Sequence, residues 1–95
     1  MISQPMAGRT EEEILSTKKW AEEIVKSLGY EIVNTYFEDF NEDEQENIPL
    51  FYLAKSLEAM THCDAIFFCP DWQSARGCMI EMMAASAYGL TILSK

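Results

Sequence analysis

A glutamate set inside an otherwise apolar helix is the residue of this sequence best placed to do chemistry. Around Glu81 stand Cys78, Met79, Ile80, Met82, Met83, Ala84 and Ala85, so the helix predicted over residues 78–88 has almost no polar face. A helix apolar all round is buried in its domain or in a subunit contact. An unpaired buried carboxylate is expensive, so Glu81 is expected to reach a cleft or a partner. A carboxylate held there can act as a nucleophile, and the field of the helix N-terminus is expected to favour its ionised form.

The polar loop just upstream reads Pro70-Asp71-Trp72-Gln73-Ser74-Ala75-Arg76-Gly77. Arg76 beside Gly77 at a helix start has the arrangement that binds anions, because backbone N–H groups point the same way there. Arg9, next to Gly8 and just before the first predicted helix, repeats it. For either arginine the alternative is pairing with one of the many acidic side chains. Trp72 either covers the rim of the core or stacks on a base. Ser3 and Gln4 either hydrogen-bond a sugar or base or satisfy loop backbone. Cys69 and Cys78 read as small core residues, since no histidine lies near in sequence to activate them. Met79, Met82 and Met83 read as packing or subunit contact, and His62 as a turn residue without a chemical role. Cys63, Cys69, Cys78 and His62 show no metal-ligand spacing, so no metal site and no cofactor is expected. Neither a G-x-G-x-x-G run nor a P-loop motif is present, which disfavours dinucleotide binding and NTPase chemistry.

The elements that must position these residues follow from the pattern of the chain. Residues 1–3 are the end of a first strand. Thr10 and Glu13 form a capping box for a helix whose inner face carries Ile14, Ala21, Ile24, Val25 and Leu28, and Gly29 stops it. Residues 30–36 are rich in β-formers and predict a second strand. Residues 37–47 are acidic and aperiodic, hence a surface loop. A helix with Pro49 in its first turn presents Leu50, Leu53, Ala54, Leu57 and Met60 inward. Residues 64–69 form a short apolar run suited to a strand covered on both faces, and residues 90–93 a last strand. This alternation predicts an α/β fold with a four-stranded parallel sheet, order 2-1-3-4, and helices on both faces. The loops after the first and third strands then face each other across one crevice at the switch point, where open α/β sheets bind ligands.

Ninety-five residues are expected to form one domain, 1–95. Sixteen acidic against seven basic residues give a net charge of −9, which disfavours nucleic acid polymers and anionic membranes as partners. An odd number of cysteines and no visible leader peptide point to a reducing, cytoplasmic setting. A domain this small cannot bury the 78–88 helix on every side. A homodimer or larger homo-oligomer is therefore expected, with Ile80, Met83, Ala84 and Ala87 on the sheet and Met79, Met82 and Ser86 outward.

The strand-end Ser3-Gln4-Pro5-Met6, the Tyr52-Leu53-Ala54-Lys55-Ser56-Leu57 stretch and the spacing from Trp72 through Arg76-Gly77 to Glu81 resemble the nucleoside 2-deoxyribosyltransferase-like superfamily. The closest likeness is to its small bacterial and phage branch, long labelled a domain of unknown function. The resemblance implies a Rossmann-like, flavodoxin-like three-layer sandwich, homo-oligomers, and cleavage or exchange of the N-glycosidic bond of deoxynucleosides or their 5′-monophosphates. It makes Glu81, four residues after Gly77, the nucleophile. It assigns phosphate binding to the loop of Pro5, Met6, Gly8 and Arg9; beside it, Ser3, Gln4, Trp72, Ser74, Arg76 and Gly77 stand as the further substrate-binding candidates read from the residues. Asp71 is the candidate for assisting the departing base. The chain departs from the transferases at Met1 or Ile2, where they carry a tyrosine, and at Ser56 and the 74–76 segment, where they carry aspartates. Those departures motivate the alternative reading, a non-catalytic sensor or sponge for a nucleotide. In either case the ligand is a small nucleoside or nucleotide.

Overall fold

The computed structural model describes residues 1–33 and 46–94. Three parallel strands, β1 (Ile2–Ser3), β2 (Ala65–Phe68) and β3 (Thr91–Ser94), form a sheet in the order β1-β2-β3. Ser3 lies opposite Phe68, and Phe68 opposite Ser94, so the C-terminal ends of all three strands lie level. The ladder continues past the strand ends, where Cys69 N–H donates to the Ser3 carbonyl at 2.9 Å.

Alternation along β2 divides the core in two. Phe67 and Cys69 pack with Ala21 and Val25 of α1 (Glu11–Ser27). Ile66 and Phe68 point the other way, against Met60 of α2 (Ile48–Met60) and Ala85 of α3 (Arg76–Ala87). All four β2 side chains are buried, as the continuous apolar run requires. The result is a parallel sheet with α1 on one face and α2 and α3 on the other.

Thr10 caps α1 as expected, with Glu13 N–H donating to its Oγ1 at 3.1 Å, while the Glu13 carboxylate accepts from the Thr10 hydroxyl at 3.2 Å and not from its backbone N–H as in a full capping box. Ala21 and Val25 are buried, whereas Leu28, expected on the same face, is exposed at the C-cap. Asn47 caps α2 by accepting from Leu50 N–H at 3.1 Å. Leu50 and Ala54 of that helix are exposed, and Leu53, Leu57 and Met60 carry its inner face.

Two expectations need correction. The strand expected over 30–36 is not formed over 30–33, where Tyr30 N–H bonds the Val25 carbonyl at the helix end instead of a neighbouring strand. Positions 34–36 of that strand, and 37–45 of the acidic loop, lie outside the described residues. Helix α3 begins at Arg76 and turns a different face inward: Cys78, Glu81 and Ala85 are buried, with Met82 and Ala84 packed beside them. Ile80 and Met83, expected on the sheet, are exposed with Met79, while Met82, expected outward, faces the core. The 78-81-85 spacing is itself a helical face. A helix apolar all round does not fix its own rotation, which is left to its packing against the rest of the fold.

Candidate functional site

Two loops leave the level strand ends and meet. After β1, Gln4 and Pro5 run into a turn in which Arg9 N–H bonds the Met6 carbonyl at 3.2 Å and Gly8 adopts φ 76. A left-handed backbone there favours glycine. After β2, Trp72 N–H bonds the Cys69 carbonyl and a single 3-10 turn, Trp72–Ser74, leads to Ala75 and α3. Asp71 is the one non-glycine residue with positive φ among the described residues, at 69°. Its carbonyl accepts Ser74 N–H at 3.0 Å and the Ser74 hydroxyl at 2.7 Å, which holds the turn. The two loops are bridged by Arg9 Nη2 and Asp71 Oδ2 at 3.5 Å. The two loops thus meet above the strand ends, with Arg9, Asp71 and the start of α3 around the junction where the crevice was expected.

At its floor, polar groups are buried without satisfaction. Ser3 is 3% exposed and Glu81 8%. Ser3 Oγ, Gln4 Oε1 and Glu81 Oε2 have no hydrogen-bond partner among the described residues. Burial pushes the Glu81 carboxyl above the usual carboxylate range, and the neighbouring Ser3 hydroxyl offsets part of that. The Ser3 hydroxyl is thus near enough to steady the carboxylate, although neither Ser3 Oγ nor Glu81 Oε2 has a well-formed hydrogen bond among the described residues. The expected favouring of the ionised form by the helix field is thus outweighed by desolvation. Cys78 and Cys69 line the same floor. Burial raises both thiols, Cys69 to about 11, with Arg9 pulling each back a little. At neutral pH they are thiols and not nucleophiles.

Helix α3 starts without a side-chain cap at Ala75, unlike α1 and α2. Gly77 follows one residue later, and a Cβ there would meet nothing within 4 Å. Neither backbone conformation nor crowding calls for glycine at 77. Arg76 is exposed beside it. Trp72 packs on Phe68 with ring centroids 5.7 Å apart and borders the core. Pro5 is buried, and Met6 is exposed on the loop.

Of the sequence candidates, Ser3, Gln4, Arg9, Asp71 and Glu81 thus converge, with Trp72, Ser74 and Gly77 shaping the second loop. Nothing in the sequence marks Cys69 and Cys78 as bordering this floor. For Arg9 the structure shows the alternative, pairing with an acidic side chain, and the partner is Asp71 on the opposite loop. A separate concavity of about 390 Å³ opens at the other end of the sheet, lined among others by Met1, Tyr30, His62 and Asp64. None of the orphaned side-chain atoms found among the described residues belongs to its lining. Among the described residues no group of three His, Cys, Asp or Glu side chains could hold a metal ion, and no helix is long and apolar enough to cross a membrane.

Comparison with curated proteins found no match, and comparison with solved structures found none. A family model does match, over residues 1–94, and the chain belongs to that family, described as Domain of unknown function (DUF4406).

Proposed function

We propose that this protein cleaves or transfers the N-glycosidic bond of a deoxynucleoside or its 5′-monophosphate, with Glu81 as the nucleophile. The observation that carries the reading is the orphaned Glu81 carboxylate oxygen, buried beside the equally orphaned Ser3 hydroxyl at the C-terminal edge of a parallel sheet. A desolvated carboxylate is a stronger nucleophile than a hydrated one, and its charge complements the oxocarbenium-like centre that develops at C1′. The resemblance to nucleoside 2-deoxyribosyltransferases supports the same assignment.

In the reaction, a Glu81 oxygen bonds C1′ as the C1′–N bond breaks, and the electron pair leaves with the base, which takes a proton from water. Water or a second base then displaces the ester and restores the carboxylate. Ser3 and Gln4 offer polar contacts to the sugar, and Arg9, Arg76 and the uncapped start of α3 receive a 5′-phosphate. Asp71 is the nearest candidate for assisting the departing base. Incubation with each deoxynucleoside and monophosphate, followed by chromatography of free base, tests the reading. Base release is expected, and Glu81→Ala should lower it by at least about a thousandfold. No release by the wild type, or equal release by the variant, overturns it.

A second reading, a nucleotide-binding sensor or sponge, is favoured by one observation. Asp71, the acid at the rim, is exposed and engaged with Arg9. Recovery of bound ligand intact would select this reading.

The proposal includes a homodimer or larger homo-oligomer formed through the outward face of α3, and a cytoplasmic setting for its three buried free thiols. It also includes a fourth strand beside β1, giving the order 2-1-3-4. Ile32 and Val33 support it, because they pack into opposite layers of the core as strand residues do.

A further inference from the structure

We infer that Asp71 is a built-in competitor for the anion-binding guanidinium of Arg9, and so sets how strongly the crevice prefers phosphate-bearing over neutral ligands. The inference rests on the proposed reading of the crevice as a nucleoside or nucleotide site.

The Arg9–Asp71 pair joins the two loops across the crevice mouth, and its geometry is that of a weak contact. It is a single approach at 3.5 Å, with the arginine side chain 26% exposed and the aspartate 76%. An exposed pair of this kind contributes little to stability. A phosphate can accept two parallel, shorter, charge-assisted bonds from the same guanidinium fork. The exchange of Asp71 for a phosphate therefore runs in favour of the ligand, while a neutral nucleoside has nothing to offer Arg9 and leaves the pair closed.

The identity of residue 71 supports this role. Its backbone stands at φ 69, held by Ser74, and glycine or asparagine would make the same turn at least as readily. What aspartate alone adds is a carboxylate directed at the opposite loop. Arg9 in turn acts on the floor below it, since its charge is felt by the Cys69 and Cys78 thiols, which border Ser3 and Glu81. In a chain with net charge −9, a cation pointing into a cleft needs an internal counter-ion only until an anionic ligand replaces it.

Calorimetric titration of the full chain carrying Glu81→Gln, which removes the nucleophile, with dAMP, dCMP, dGMP and dTMP, and with the four matching deoxynucleosides, tests the inference without turnover. Asp71→Asn, which keeps the left-handed turn, should tighten the monophosphates about two- to fivefold relative to the matching nucleosides. Asp71→Gly should do the same, which guards against an effect peculiar to one side chain. Arg9→Gln should erase the preference for monophosphates, and Asp71→Asn should then have no further effect. Weaker monophosphate binding by both Asp71 variants, equal tightening of both ligand classes, or no binding of any of the eight compounds overturns the inference. Discrimination without base release overturns only the catalytic reading, and base release with no Asp71 effect overturns only this one.

Discussion

The Ser3 side chain, at the end of β1, and the Glu81 carboxylate, on the second turn of α3, are buried near each other, yet Ser3 Oγ and Glu81 Oε2 are both left without a well-formed hydrogen bond among the described residues. Buried polar atoms left without a well-formed partner are a cost to the fold. Such a cost is the usual mark of a place kept ready for something else.

The cost should be measurable as stability. Burial raises the Glu81 pKa from its ordinary value, so between that value and the raised one the folded chain holds more protons than the unfolded chain. Stability contributed by this group therefore falls as pH rises through that window. Glu81→Gln, which cannot ionise, should be more stable than wild type at neutral pH by about 0.5–2 kcal/mol. The gain should shrink as pH drops below the ordinary glutamate range. Chemical denaturation at several pH values reads this, and a variant less stable than wild type at pH 7 would sink the idea.

Gly77 offers a second separation of stability from function. It lies in the first turn of α3, with no positive φ and open space where a Cβ would stand. Gly77→Ala should stabilise the helix by about 0.5–1 kcal/mol. If an anionic ligand approaches the uncapped α3 start, the added methyl group should also weaken monophosphate binding. A stabilised protein with unchanged binding would place the ligand away from this helix end.

Assembly makes a third prediction. The outward face of α3 carries Met79, Ile80 and Met83, the last 69% exposed. Light scattering at micromolar concentration should report a mass of at least two chains, and Met83→Glu should reduce it to one without unfolding the protein. Met82→Glu should instead unfold it, because Met82 packs against the buried cluster of Ile66, Phe68 and Ala85. A monomeric wild type, or an oligomer that survives Met83→Glu, would refute this interface.

What the sequence determined by itself was local or combinatorial. Thr10 and Glu13 announced the start of α1, and the apolar run 65–68 announced a strand covered on both faces. Their alternation with helices dictated a parallel sheet with both crevice loops at one edge. Glu81 stood out because no neighbour on its helix could share its polarity. Tertiary structure alone decided the rotation of α3, since a helix with apolar residues on every side presents several equivalent faces. In the packed domain the 78-81-85 face lies inward and takes Glu81 with it, and Ile80 and Met83 lie outside. Tertiary structure also decided that Arg9 meets Asp71. That link spans 62 residues, and no local pattern encodes a contact made only when two loops arrive at the same strand end.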